Sequence, residues 1–223
     1  HRKNKIGMSK VINGDKSFCY RITHIDNLSH ILDHGILNKN HPKASDDYIQ
    51  IGHPEIIDVR NTMPVRIHDH GNIGEYVPFY FTPKSVMLYN IQTGYYEPLV
   101  PMRRPEEILV IRCKMFELAH YASRWFFTDG QANDVASRHY NDLSQLDAID
   151  WENIYACNFT KSDGNTDRAR KYQAEFLVQH EVQVDWIESL CVYNENARKK
   201  VNSLLKNTNF THISVYTYPR YYF

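Results

Sequence analysis

The chain has 223 residues, with 26 Lys and Arg against 26 Asp and Glu and a formal net charge of zero. That length fits one large domain, or at most two small ones, and supports a core that needs no staples. At 42% hydrophobic and 23% charged residues, the composition excludes a disordered, fibrous or membrane-embedded chain. The even charge argues against bulk electrostatic attachment to nucleic acid and leaves room for a local basic groove. Residues 1–16 open with the basic run His1-Arg2-Lys3-Asn4-Lys5 ahead of Met8. They read as an N-terminal extension or an expression remnant, and residues 17–223 read as one domain. Ser17 to Thr23 (SFCYRIT) predicts a strand. A helix follows, with Asp26 as its expected N-cap, Leu28, Ile31 and Leu32 as its apolar stripe, and Gly35 as its stop. Residues 38–76 show little periodicity and read as a long loop, which inside a domain is usually functional.

Val77 to Phe81 (VPFYF) predicts a buried strand, and Val86, Met87 and Tyr89 a short helix. Glu107 to Cys113 (EILVIRC) predicts a strong strand, Lys114 to Tyr121 a helix, and Arg124 to Thr128 an extended segment. Residues 131–157 read as helical pieces around a turn near Asp150, and residues 158–170 as a polar loop. Ala174 to Gln179 (AEFLVQ) and Leu190 to Tyr193 predict strands. A helix from about Asn194 to Lys206 and a strand from Ile213 to Thr217 close the chain. Strands and helices mix without a regular βαβ alternation, which predicts an α+β fold.

Cys19, Cys113, Cys157 and Cys191 form no C-x-x-C pair, and they read as reduced thiols of a cytoplasmic protein. No run of 18 apolar residues and no signal peptide is legible, so no membrane partner is expected. Neither common glycine-rich phosphate cradle is present. His30 and His34 at i,i+4, and His68-Asp69-His70, lack a third ligand at fixed spacing, so no metal is expected.

Glu175 is the outstanding residue. In AEFLV it shares a strand face with Leu177, and a carboxylate on a buried face is costly without a partner or a task. An edge-strand ion pair is the ordinary reading of such a glutamate. The preceding loop, which could deliver a substrate beside it, favours the catalytic one. Arg60, in IIDVRNTMPVR, is either a solvated loop charge or a fork for an anionic ligand. Arg21 lies within a strand, so it caps an edge or points into a cleft. Arg168, Arg170 and Lys171 cluster ahead of Glu175, where a phosphate backbone would find them. Tyr48 is among the aromatic residues able to stack on bases.

Several segments together resemble the DarT family, toxins that transfer ADP-ribose from NAD to bases of single-stranded DNA. CYRITHIDNLSHILDHGIL resembles the family's first strand and helix, IGHPEIIDVRNTMPV its NAD-covering loop, and EYVPFYFTPKSVMLYNI its most recognisable block. RRPEEILVI, FFTD, LDAIDW, RKYQAEFLV and the terminal YYF follow in the same order. Two positions depart from the pattern, with Val86 in place of a proline and Gly130-Gln131 in place of Arg-His.

The resemblance implies an ADP-ribosyltransferase fold, a split antiparallel β core with peripheral helices and an NAD cleft between its halves. It implies Glu175 and Arg60 as catalytic residues. Arg21, Ile22 and Thr23 would contact NAD, joined by His30, Asn38 and a stacking Tyr80. Single-stranded DNA, modified on a thymine, would meet Tyr48, Arg168, Arg170 and Lys171. A partner antitoxin with a macrodomain (DarG-like) would remove the mark. The competing expectations are modification of another base, RNA or protein by the same fold, and a non-enzymatic binding module.

Overall fold

The computed structural model describes residues 17–162 and 164–223; the basic segment 1–16 lies outside them. Strand β1 (Phe18–His24) leads through a single 3-10 turn into helix α1 (Leu28–His34). The cap of that turn is the His24 imidazole, which accepts the Asp26 N–H at 3.2 Å. Asp26, the expected cap, instead pairs with Lys200. Gly35 ends α1 at φ +80°, where a Cβ would strike the Val182 carbonyl, a position open only to glycine. Strand β2 (Ile36–Leu37) follows.

The long segment expected to be a loop contains helix α2 (Pro54–Thr62), with Pro54 in its first turn. None of its residues is fully buried, so it lacks the apolar stripe by which a helix is read from sequence. Strand β3 (Tyr76–Tyr80) and helix α3 (Val86–Thr93) come next. The Ser85 hydroxyl caps α3 by accepting the Leu88 N–H at 3.1 Å. Then come β4 (Ile108–Lys114), α4 (Met115–Tyr121), β5 (Trp125–Thr128) and β6 (His139–Tyr140). The region expected to be helical around Asp150 is thus a hairpin, a 3-10 stretch (Leu143–Ala148) and the short α5 (Trp151–Tyr155). Helix α6 (Arg168–Tyr172) takes the end of the predicted polar loop. The remaining elements are β7 (Glu175–Gln179), β8 (Glu181–Val182), β9 (Ile187–Val192), α7 (Glu195–Leu205) and β10 (Ser214–Thr217).

Among the described residues, eight strands form one sheet in the order β10-β9-β4-β1-β3-β7-β5-β6, antiparallel except for β9–β10. β1 pairs with β4 over seven residues, yet meets β3 only at Tyr20↔Tyr80. Continuing that register would set Ile22 opposite Pro78. Proline has no N–H to give a ladder. The Pro78 carbonyl faces β1, where it accepts from Arg21 Nη1 at 3.1 Å. A residue's N–H and C=O point to the same side of a strand, so the missing donor falls on the β1 side. One proline thus accounts for the split in the sheet, and Arg21 bridges the gap.

β7 lies between β3 and β5 rather than at an edge. Phe79, Phe126, Phe127 and Phe176 are fully buried around it, contributing roughly 1.5–3 kcal/mol each. Cys19, Cys113, Cys157 and Cys191 are free thiols. Among the described residues, no helix is long and apolar enough to cross a membrane.

Candidate active site

A cavity of about 410 Å³ opens at the split between β1 and β3, within the usual range for small-molecule sites. β1 supplies Arg21, Ile22 and Thr23 to its wall, α1 supplies His30, and β3 supplies Tyr80. Asn38 and Tyr48 come from the chain after β2. Ile56, Ile57, Arg60 and Asn61 present one face of α2 to the cavity. That face explains why α2 shows no core stripe: its apolar residues line a ligand space.

Glu175 opens β7 opposite Tyr80 and is fully buried. Its backbone N–H donates to Thr128 Oγ1 at 3.1 Å, and that hydroxyl donates to the Gly130 carbonyl at 2.5 Å. Glu175 Oε1 accepts from Arg60 Nη2 at 2.7 Å and from the Ala132 N–H at 2.9 Å, while Oε2 accepts from Arg60 Nη1 at 2.9 Å. The pairing is bidentate, the strong form of arginine–carboxylate contact. Burial alone would pull the Arg60 guanidinium down, but the Glu175 carboxylate outweighs it and holds Arg60 above its ordinary value. Arg60 forms cavity wall, whereas Glu175 lies behind it and contributes none. The Tyr80 hydroxyl titrates well above its usual range, pushed up by burial and then by Glu175.

The turn at 131–134 backs this pair. His139 Nδ1 accepts the Arg66 N–H at 3.0 Å, and its Nε2 lies 3.2 Å from the Ala132 carbonyl. That pattern fits a neutral ring protonated on Nε2. Burial lowers the His139 pKa, opposed by the Ala132 carbonyl. The Arg66 guanidinium holds the Val135 and Ser137 carbonyls at 2.7 Å each.

The basic cluster ahead of Glu175 divides three ways. Arg170 spends its fork on Asp167 at 2.6 and 2.7 Å, Asp129 at 3.2 Å and Ser137 at 2.9 Å. Its protonated form is favoured first by the Asp167 hydrogen bonds. It buckles α6 to the 129–137 hairpin and has little left for a phosphate, contrary to the expectation from its loop setting. The fit is close enough that a Cβ on Gly130 would collide with its guanidinium. Arg168 Nη1 donates to the Thr160 carbonyl at 3.1 Å, shaping the preceding loop. Lys171 is half-exposed, its Nζ 3.9 Å from Asp167. Tyr48, expected on a DNA face, sits in the cavity wall, its hydroxyl 2.8 Å from Thr23 Oγ1 and its ring edge-on to His30.

Elsewhere in the cavity wall, Arg21 Nε, Asn38 Oδ1 and His53 Nδ1 are buried without a hydrogen-bond partner. Orphaned polar atoms on a cavity wall are what a ligand with its own donors and acceptors would satisfy. Among the described residues, no three His, Cys, Asp or Glu side chains gather as a metal site.

The profile of the family described as "ssDNA thymidine ADP-ribosyltransferase, DarT" matches residues 20–223. The chain belongs to this family. A DNA ADP-ribosyl transferase from Escherichia coli O127:H6 (strain E2348/69 / EPEC) is 33% identical over 96% of this chain and 97% of its own length. The solved structure of Thermus sp. 2.9 DarT in complex with ADP-ribosylated ssDNA superposes with a TM-score of 0.81 at 30% identity, covering 93% of this chain and 96% of that one. The same protein in complex with NAD+ gives 0.77 at 28% identity, over 93% of this chain and 98% of that one. The fold is therefore the α+β ADP-ribosyltransferase fold of that family.

Thr128, Ala132, Asn133 and His139 were not singled out from the sequence. Two of them act through backbone or a hydroxyl, and Asn133-Asp134 has the look of an ordinary turn.

Proposed function

We propose that this chain cleaves the nicotinamide–ribose bond of NAD and transfers the ADP-ribosyl group to a thymine of single-stranded DNA, with Glu175 and Arg60 as its catalytic pair. The observation that carries the site assignment is the buried Arg60–Glu175 fork at the wall of the split-sheet cavity, in a chain of this family. Arg21, Ile22, Thr23, His30, Asn38 and Tyr80 would hold NAD, joined by Tyr48. The unsatisfied atoms on Arg21, Asn38 and His53 suit a dinucleotide rich in hydroxyl, amide and phosphate groups.

NAD supplies a ribose carbon bearing a good leaving group. As nicotinamide departs, positive charge grows on the ribose, and a fixed carboxylate beside it is worth roughly 3–4 kcal/mol, or 10² to 10³ in rate. Glu175 Oε2 has one protein donor against two at Oε1, so Oε2 is the oxygen assigned to meet the ribose. Arg60 covers Glu175, so its fork must shift to release that oxygen. The bond from the ribose to nicotinamide breaks, a bond from the ribose to a thymine ring nitrogen forms, and the proton on that nitrogen must leave. Arg60 is an unsuitable acceptor for it, because the guanidinium is already protonated and held more firmly so by its partner. Glu175 Oε2, directly or through water, is the better acceptor, and Arg60 serves as an electrostatic clamp.

A single strand exposes its bases without the few kcal/mol that flipping from a duplex costs. Lys171 and Arg168 would meet its backbone, although Arg168 also holds its own loop. An antitoxin with a macrodomain is the partner implied by the resemblance, and the cytoplasm, where thiols stay reduced, is the expected compartment.

The test offers the protein NAD with thymine-containing single strands, thymine-free single strands, duplex DNA and RNA, and measures nicotinamide release and mass added per nucleotide. Addition confined to thymine in single strands is expected. Addition to RNA or protein alone would overturn the reading.

A further inference from the structure

Arg60 carries five N–H bonds, and the structure accounts for four. Glu175 takes one from Nη1 and one from Nη2. Asn133 Oδ1 takes the other two, from Nε at 3.1 Å and Nη2 at 3.0 Å. The remaining N–H, the second on Nη1, has no acceptor among the described residues, and Arg60 borders the cavity. Neighbouring residues therefore grip the catalytic pair from one turn: the Ala132 N–H holds Glu175 Oε1, and the Asn133 side chain holds Arg60. The turn is itself fastened by Asp134 N–H to the Gln131 carbonyl at 3.0 Å and by Gln131 N–H to the Arg170 carbonyl at 3.0 Å.

We infer that Asn133 is the positioning residue for Arg60, the tether that keeps the guanidinium in place when Nη1 leaves Glu175 Oε2 for the ligand. The inference rests on the Arg60–Glu175 pair being catalytic, as proposed above. A guanidinium is rigid and planar, so the Nε and Nη2 bonds to the single Asn133 oxygen act as a pivot, about which the fork turns to carry Nη1 from Oε2 to the ligand. Without that grip Arg60 has only Glu175 to hold it, and it swings wholly with the ligand or wholly with the carboxylate. The side chain need only present an acceptor oxygen; its amide NH2 makes none of these contacts.

The test compares Asn133→Leu, which keeps the bulk and removes the acceptor, with Asn133→Asp, which keeps the acceptor, in the full chain. Transfer to a thymine-containing single strand is followed at saturating and limiting NAD. Asn133→Leu is expected to lower kcat about 10- to 100-fold, the scale of a misplaced catalytic group, with the KM for NAD changed less than about threefold. Asn133→Asp is expected to retain kcat within about fivefold, on the same scale. The ¹⁵N–¹H signal of Arg60 Nε, identified by its loss in Arg60→Lys, should persist in Asn133→Asp and move or exchange rapidly in Asn133→Leu. A folded Asn133→Leu with wild-type kcat, equal losses in both variants, or an unmoved Arg60 signal would overturn the inference. Glu175→Gln is run alongside: full activity there would overturn the catalytic pair itself, whereas a null result at Asn133 with an inactive Glu175→Gln overturns only the tether.

Discussion

Around Glu175, the strong polar groups of Glu175, Arg60, Thr128 and Ala132 meet protein partners. At Asn38 Oδ1 and His53 Nδ1, in the same cavity, buried polar atoms have none. The difference separates two kinds of site. The first is a network assembled before any ligand arrives, which is what electrostatic catalysis requires. The second is an unfinished surface whose desolvated groups await a ligand, at a cost to the free protein. The contrast predicts that changes at the first region act on rate and changes at the second act on binding.

Glu175→Gln should give the largest effect, a 10² to 10³-fold loss of transfer of about the size expected for one preorganised contact. Single-turnover labelling of an oligothymidylate measures it. Near-wild-type transfer would dissolve the distinction. Arg170→Ala comes next. It takes the guanidinium away from Asp129 and Asp167 and unbuckles the hairpin that carries Ala132 and Asn133, and breaking such a partly buried network should cost about 2–3 kcal/mol. That corresponds to roughly 5–10 °C in Tm for a chain of this size. Lys171→Ala, at the neighbouring and half-exposed position, should change stability by no more than about 0.5 kcal/mol, roughly 1–2 °C in Tm. Equal melting losses in the two would contradict the buckle assigned to Arg170.

At the unfinished wall, Asn38→Ala should raise the KM for NAD about tenfold, the equivalent of one lost hydrogen bond, with kcat unchanged. Because Asn38 Oδ1 is unsatisfied in the free protein, the same change should cost little stability, which thermal unfolding with and without NAD would show. A kcat loss would move Asn38 into the first region.

The smallest effect is a pH dependence. Burial lowers the His139 pKa below its unfolded value, so folding favours the neutral ring. The stability it contributes is complete above about pH 6.5 and is lost as pH falls from there toward the lowered folded value. His24 and His30 shift in the same direction, so the readout is the Tm of wild type minus that of His139→Gln across this range. A difference that does not change with pH would remove the neutral His139 from the account.

How much of this was legible before the structure depends on how each part is held. β1, β3, β4 and β7 announce themselves through apolar and β-branched runs, and Glu175 stands out as a carboxylate within one of them. Helix α2 hides because its apolar side faces a cavity, so it presents no core stripe. The role proposed for Arg60 came from the family resemblance, since its partners Asn133 and Glu175 lie 73 and 115 residues away. Arg170 misled in part for the same reason: Asp167 lies only three residues away, but Asp129 and Ser137, which tie Arg170 to the hairpin, are 41 and 33 residues distant. Pro78, an apparently ordinary strand proline, proved to mark where the sheet opens.

The central claim is that Arg60 and Glu175 act as one unit, and a double-mutant cycle on transfer kcat tests it most directly. Glu175→Gln, Arg60→Gln and the double variant are compared with wild type under single-turnover conditions. If the pair is one device, the double variant should be about as slow as the slower single one, because groups that act together lose their effect together. Losses that multiply in the double variant would show two independent contributions and contradict the account.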